Sequence, residues 1–409
     1  MPQRSSSFPA PPWASLRPRA TPAALCCLLF FLARPALAQP ACDDSAQLPN
    51  PVYLAVGDTQ VNLLKRLGKE LRDRENVTLV WRASGSCTNL DALYGDVKLT
   101  GTLSYIPQGY DPATTPTPPT CTTPAGGVSV DIANSIVFTG TCPSSRPPTI
   151  VDQPGPVQSF VFVVPRASSQ RVITAEEAYF AFGFGQAGGV EPWTDESQLY
   201  TRPPTKGTVI SVGASIRVPA GKWKGQAIDM SKDLASLVAQ SPAPERALGI
   251  LGSEVFDTYR TTLRQLAFRA FGQYHAYYPD STENAQDKRN VRDGHYHIWS
   301  YTRWLLPTDG AGNALKPLAA RVVSLIVGSP VAPPPAFEPL DAEIEVGLVP
   351  RCAMRVARTS EGGDFTLDAP VAPCGCYFES RTGGTSCTAC TSDSTCGGGR
   401  CRHGYCEAR

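Results

Sequence analysis

The chain has 409 residues, 42% of them hydrophobic, and its 37 basic and 36 acidic side chains leave a net charge of +1. A balance this close to neutral excludes the broad basic face of a nucleic-acid-binding protein, so any site for an anion must be local. The length exceeds one ordinary hydrophobic core, and two lobes or domains are therefore expected.

Residues 1–38 have the three parts of a secretory signal, namely basic residues, an apolar core at Ala23–Ala33 and a small-x-small cleavage site that ends at Ala38. The apolar core is shorter than the ~20 residues that cross a bilayer. No second run of that length follows, so we expect a periplasmic or secreted protein without a transmembrane segment. A lipid anchor on Cys42 is the alternative, although Gln39–Ala41 lacks the aliphatic residue of a lipobox.

Twelve cysteines follow the signal, and their even number in an exported chain predicts disulfides. Eight of them lie beyond residue 350, so we predict a Cys-rich C-terminal region at 346–409 after a proline-rich linker at 327–345. Because little aliphatic sequence remains there to build a core, crosslinks must stabilise this region. Cys387-x2-Cys390 with His403 nearby leaves zinc as the alternative, but an oxidising compartment disfavours free thiolates, and no metal is predicted.

Strands and helices alternate along 43–326, the predicted body of the protein. Val52–Val56 is a short apolar strand, Val61–Leu71 carries apolar residues at helical spacing, and Val77–Trp81 is the next strand. This order is a βαβ unit, and such units build parallel sheets. Phe160–Val164 has the continuous apolar character of a strand covered on both faces. The pattern predicts an α/β fold.

Two further segments give local predictions. Leu263–Gln273 has the spacing of an amphipathic helix. Residues 107–125 are rich in proline and threonine and indicate a surface insertion, which Cys121 and Cys142 are placed to fasten.

Three loops place small polar residues beside predicted helix starts: Gly57–Thr59, Ser84–Ser86 and Arg202–Thr208. Helix N-termini leave backbone N–H groups unpaired and carry a partial positive charge, so they suit oxyanions. Hydroxyl groups add donors, and an arginine adds a bidentate fork. One such loop alone is more simply a capped helix, but three in one chain predict a shared anion site. Its candidate residues are Thr59, Ser84, Gly85, Ser86, Arg202, Lys206, Gly207 and Thr208.

Arg202 followed by Lys206-Gly207-Thr208 resembles the third anion-contacting loop of phosphate-type periplasmic solute-binding proteins. The other two loops fall where that family has its first and second. The resemblance extends through Ile173–Gly185 and Ala247–Gly252, and it covers roughly residues 50–305.

The resemblance implies two α/β lobes around a central cleft, with lobe 1 at about 50–165 and 300–326 and lobe 2 at about 166–299. It implies a protein that is not an enzyme and needs no cofactor. The ligand would be a small oxyanion, phosphate or a related ion, held by backbone N–H groups, hydroxyls and one arginine. An ABC permease would be the partner in uptake or sensing.

This chain departs from the family pattern at three positions. Asp58 stands where a small or hydroxyl residue is usual, and its carboxylate would repel a dianion. Lys206 replaces a serine and adds a cation that offsets Asp58. Ile136 stands where the family has an aspartate that accepts the ligand's proton, so specificity for phosphate is in doubt while the fold inference holds.

Two other functions follow from these departures or from the site chemistry. The first is a cell-surface interaction protein on the same fold, in which the cleft is degenerate and the C-terminal region recognises a partner. The second is a phosphohydrolase, because a bound oxyanion can be a product. No nucleophile–base pair or metal cluster supports the second in the sequence, so no catalytic residue is assigned.

Overall fold

The computed structural model describes residues 39–384 and 386–407, so the predicted signal at 1–38 lies outside the described residues. The residues from Gln39 onward form one compact unit. Within the described ranges, no helix has the length and apolar character that crossing a membrane demands.

The strands, numbered in chain order, are β1 Pro51–Gly57, β2 Thr78–Ser84, β3 Thr102–Tyr105, β4 Thr120–Thr122, β5 Ile132–Ser135, β6 Ile150–Pro165, β7 Val172–Thr174, β8 Leu199–Thr201, β9 Gln226–Ala227, β10 Leu248–Gly252, β11 Leu263–Gln265, β12 Ala267–Arg269, β13 Trp299–Pro307, β14 Val356–Ala357, β15 Thr366–Leu367, β16 Arg400–Arg402 and β17 Tyr405–Glu407. The helices are α1 Val61–Glu75, α2 Ser86–Tyr94, α3 Ala175–Phe184, α4 Gly207–Ile216, α5 Ser231–Ala239, α6 Ser253–Thr258, α7 Arg289–Arg292, α8 Pro317–Ile326, α9 Pro339–Glu345 and α10 Gly375–Arg381.

The main sheet is mixed, with strand order β4-β3-β2-β1-β5-β13-β6-β10-β8-β9 and β11 on β6. The long strand β6 connects its two halves. Ile150–Ser159 pairs with β13, and Phe160–Pro165 pairs with β10 and β11. Helices cover both halves, and the arrangement is the predicted α/β architecture of two lobes around a cleft. The predicted lobe boundaries themselves stay a prediction.

The first βαβ unit forms as the sequence predicts. β1 and β2 are parallel, with a register that runs from Pro51 opposite Thr78 to Gly57 opposite Ser84. Between them, α1 buries its leucines against the sheet, because apolar residues recur on one face of the helix. The carboxyl ends of the two strands therefore lie side by side at one edge.

The helix predicted at Leu263–Gln273 is wrong. The segment forms β11 and β12 instead, and Leu263 to Gln265 pair antiparallel with Pro165 to Val163 on β6. Leu263 and Gln265 are buried while Arg264 between them reaches Glu283. Pairing with β6 overrides the helical spacing, because local propensity is weaker than tertiary context.

All twelve cysteines after residue 38 are paired, so the disulfide prediction is confirmed. The pairs are Cys42–Cys121, Cys87–Cys142, Cys352–Cys374, Cys376–Cys387, Cys390–Cys401 and Cys396–Cys406. The prediction that Cys121 and Cys142 both fasten the 107–125 region is half wrong, because only Cys121 lies in that region and Cys142 pairs with Cys87 instead. Cys121 joins the region to the start of the unit, and Cys142 joins the loop after β5 to α2.

The C-terminal region packs on the body instead of standing apart on its crosslinks. Met354, Val356, Tyr377 and Phe378 are buried in one cluster with residues of β6, α4 and β13. The predicted linker at 327–345 ends in α9, whose buried residues contact both α1 and α8. Burial of these few large side chains stabilises the region in addition to the disulfides.

Candidate functional site

The three predicted loops converge where the two lobes meet. Gly57 and Ser84 are neighbours in the β1–β2 register, which places the first two loops side by side. The third loop follows β8 in the other half of the sheet. It approaches the second so closely that a Cβ on Gly85 would lie 2.7 Å from the carbonyl oxygen of Thr205. The carboxyl ends of parallel strands are the usual place for a ligand in α/β folds.

Arg202 is the charged centre of this junction, and its side chain is fully buried. Its Nη2 lies 3.0 Å from both carboxylate oxygens of Asp58. The remaining nitrogens donate to the carbonyl oxygen of Ile228 at 2.9 Å and to the hydroxyl of Ser231. The backbone N–H of Ser231, the first residue of α5, also donates to Asp58 at 3.0 Å. The Asp58 carboxylate thus has as donors Arg202, which was predicted to hold an oxyanion, and the backbone amide of Ser231, which was not.

Electrostatics keep this carboxylate ionised at neutral pH. Burial alone would raise the pKa of Asp58, but the Arg202 guanidinium, the Ser231 amide and Lys206 outweigh it and hold that pKa below its usual range. Lys206 itself contacts Asp229 at 3.1 Å. The sequence expectation that Lys206 offsets Asp58 is therefore too simple, because Arg202 is the direct partner and Lys206 acts from a distance.

Ile136 lies between the second and third loops of the junction. The hydroxyl of Ser86 accepts the backbone N–H of Ile136 at 3.1 Å. A Cβ on Gly207, the first residue of α4, would lie 2.2 Å from Cγ1 of Ile136 and 2.6 Å from Oγ of Ser86. An apolar side chain thus covers the N-terminus of α4, where the family resemblance places an acidic proton acceptor.

The other candidate residues lie at the same junction. Thr59 is buried, and its hydroxyl is 3.4 Å from Oε1 of Gln158 on β6. Ser84 donates to Oδ1 of Asn89 within its own lobe. Thr208 is buried in the first turn of α4. Their assignment as ligand-binding residues stays a prediction.

A cavity of about 830 Å³ lies between α1, α6, α9 and α10. Asn62 and Lys65 line it on one side, and Glu254 and Asp257 of α6 line it on the other. Glu254 accepts a hydrogen bond from Gln158 at 2.9 Å, while its Oε2 is buried without a partner among the described residues. Burial, with smaller contributions from Asp257 and Asp58, raises the pKa of Glu254 to about 8.

Replacement of Glu254 by glutamine should remove a pH dependence of stability. The folded-state pKa of Glu254 lies above its ordinary value, so its contribution to the free energy of unfolding is full below about pH 4.5 and decreases as the pH rises towards about 8. Urea unfolding between about pH 5 and pH 8 should show this decline in the wild type and a flatter profile for Glu254→Gln. Glu191→Gln changes an exposed residue and serves as the control. Equal slopes for all three proteins would contradict the assignment.

Sequence reasoning missed several residues of the junction. Ser231 and Asp229 surround the Arg202 guanidinium, with the carbonyl oxygen of Asp229 at 2.6 Å from Nη2. Glu254 lines the neighbouring cavity. A small polar residue ahead of a helical pattern, the signal used for the three loops, also occurs at Ser231 before Leu234 and Val238, and would have identified it.

No protein-family model and no curated protein matches this chain. Solved structures do. A possible phosphate binding protein from Planctomyces limnophilus is 14% identical with a TM-score of 0.43, over 74% of this chain and 93% of that one. An ABC-type phosphate transport receptor from Vibrio cholerae is 13% identical with a TM-score of 0.45, over 73% and 99% of the two chains.

A third solved structure, from Clostridium perfringens, is described as a provisionally assigned phosphate ABC transporter substrate-binding protein with bound phosphate. It is 11% identical with a TM-score of 0.49, over 74% of this chain and 99% of that one. Identities and TM-scores this low do not show which ligand this chain binds. By their descriptions, these solved structures belong to the class that the three loop motifs resemble, the phosphate-type solute-binding proteins.

Proposed function

We propose that this chain is an exported, non-enzymatic interaction protein that retains the solute-binding fold, with the anion position of its cleft filled by its own Asp58. The observation that carries the proposal is the position of that carboxylate, 3.0 Å from Nη2 of Arg202 through both oxygens and 3.0 Å from the Ser231 amide. These are the donors that a free oxyanion would need.

A free dianion faces two obstacles at this junction. It would have to displace Asp58 and leave that carboxylate uncompensated in a buried place, which is strongly unfavourable. Ile136 then offers no acceptor to a protonated ligand oxygen. Recognition is therefore assigned to the outer surface, where the C-terminal region packs on the body, and the partner is a macromolecule outside the cytoplasm. Export is supported by the predicted signal and by the six disulfides.

Titration calorimetry with phosphate and with sulfate tests the proposal. The wild type should bind neither ion at millimolar concentration. Asp58→Ser should gain binding, because Arg202 is then free to pair with the added anion. Phosphate at a hundred times its Kd should then stabilise this variant by about 2.7 kcal/mol. Asp229→Ser, which removes an exposed acid from the same junction, should not gain binding.

A second candidate function is the uptake or sensing of a small oxyanion with an ABC permease. The convergence of three helix-start loops on a fully buried arginine favours it. In that case phosphate or a related ion displaces Asp58, and the wild type binds it with micromolar affinity that Arg202→Ala abolishes. Such binding by the wild type would overturn the interaction-protein proposal and support this one.

A further inference from the structure

A second carboxylate of the chain lies between the lobes, about 150 residues along the sequence from the third loop and farther from the other two. It belongs to Glu361, in the hairpin formed by β14 and β15, which we call the 356–367 hairpin. Glu361 Oε1 accepts from the hydroxyl of Ser211, and its Oε2 accepts from the hydroxyl of Ser300 at 2.8 Å and from the backbone N–H of Phe138 at 3.2 Å. None of the three donors belongs to the C-terminal region.

The donors come from different parts of the body. Phe138 follows β5 in the first half of the sheet, Ser211 lies on α4 in the second half, and Ser300 lies on β13, which pairs with β6 where the halves join. Ser211 and Ser300 are 1% and 0% exposed, so their hydroxyls are shielded from solvent where they contact this carboxylate. A buried hydroxyl without a partner is unfavourable, so the position requires an acceptor.

The hairpin is anchored beside this position by aromatic contacts. The ring of Phe365 stacks on that of Trp299, with centroids 5.4 Å apart and planes within 2°. The guanidinium of Arg358 lies 4.0 Å from the Trp299 ring centre and donates to the carbonyl oxygen of His297 at 2.8 Å. Burial raises the pKa of Glu361, and the hydrogen bonds from Ser211 and Ser300 together with the Arg358 charge oppose that rise and favour the carboxylate. The position thus has two hydroxyls, an amide and a nearby cation, which is a donor set for a carboxylate.

We propose that Phe138, Ser211 and Ser300 form a second anion site that takes a carboxylate, and that Glu361 occupies it as an internal ligand that holds the two lobes together. Hinge opening of the cleft, the motion by which two-lobed receptors admit ligands, would then require withdrawal of the hairpin. Asp58 has no part in this site, so the outcome of the phosphate titrations leaves this inference untouched.

Chemical rescue with formate tests the site. Glu361→Ala should lower the melting temperature by several degrees, and sodium formate should raise it again in a saturable way with half-saturation in the millimolar range, relative to sodium chloride at the same ionic strength. The wild type and Asp364→Ala, which removes an exposed acid from the same hairpin, should respond to the two salts equally. Equal responses of Glu361→Ala to formate and chloride would overturn the proposal.

Hydrogen exchange tests the effect on the lobes. The amides of Phe138 and of the first turns of α4 should exchange about tenfold faster in Glu361→Ala and in Glu361→Gln than in the wild type. Glutamine fills the space, so formate should have no effect on Glu361→Gln. If Glu361→Ala fails to fold, the glutamine variant decides, because wild-type exchange rates in it would contradict the role of the carboxylate.

Discussion

Arg202→Ala should lower the free energy of unfolding by about 3–5 kcal/mol, since it leaves Asp58 as a buried charge without its partner. The Arg202 and Asp58 side chains are 0% and 7% exposed, so water cannot replace the lost contacts. The carbonyl oxygens of Ile228 and Asp229 lose donors as well. Urea unfolding at neutral pH measures the change. The pair is intact there, because the pKa of Asp58 is held low and its contribution is lost only as the pH falls through that value.

A double-mutant cycle separates the ion pair from general packing. The variant with both Arg202→Ala and Asp58→Ala should lose less than the sum of the two single changes, because neither charge is then left alone. Arg74→Ala provides the matched control, since Arg74 pairs with Glu70 on the exposed face of α1. Its loss should stay below about 1 kcal/mol. Equal small losses for Arg202→Ala and Arg74→Ala would refute the buried-pair description.

Arg292→Ala should destabilise the protein by about 3 kcal/mol or more and loosen the C-terminal region. Arg292 is 2% exposed. It donates to the carbonyl oxygens of Ala353 at 3.0 Å and Gly375 at 3.3 Å, and to Glu379 at 3.1 Å. Its guanidinium also lies 5.0 Å from the centre of the Phe378 ring. One residue of the body thus satisfies three acceptors of the C-terminal region, and its removal deprives the two carbonyl oxygens of this donor while Glu379 keeps Arg355 and Ser386 as donors.

Limited proteolysis together with urea unfolding measures this effect. Cleavage within residues 350–407 should become faster in Arg292→Ala than in the wild type. Arg292→Lys should not restore protection, because a single ammonium cannot reach acceptors spread around a planar guanidinium. Arg355→Ala is the control, since Arg355 is half-exposed and contacts the same Glu379 at 3.5 Å. If the Arg355 and Arg292 variants behave alike, the assigned role of Arg292 is wrong.

The parts of the fold that sequence could predict are those with local patterns. The strand at Phe160–Val164 and the helix starts of the three loops carry their signal within a few residues, and the β1–α1–β2 unit carries its signal within the single segment Pro51–Ser84. The convergence of the loops was predicted from their shared helix-start chemistry, and the family resemblance supported it. The disulfides followed from cysteine number and the predicted compartment, whereas their pairing could not be read.

The rest depends on contacts between distant residues. Asp58 and Arg202 are 144 positions apart in the sequence. Neither loop carries a local pattern that predicts an ion pair between the Asp58 carboxylate and the Arg202 guanidinium. Glu361 lies 150 positions from Ser211. It belongs to the C-terminal region, for which the sequence predicts stabilisation by crosslinks. The four large apolar residues there are too few to predict a core, yet they complete the one formed by the body.

The six disulfides fall into two sets that do not mix. Two close within residues 42–142 and four within residues 352–406, so no covalent crosslink joins the sets. Because synthesis runs from the N-terminus, the first set can finish oxidising before the last eight cysteines emerge. That order leaves three ways to pair the first four cysteines and 105 for the later eight, far fewer than a common pool would allow.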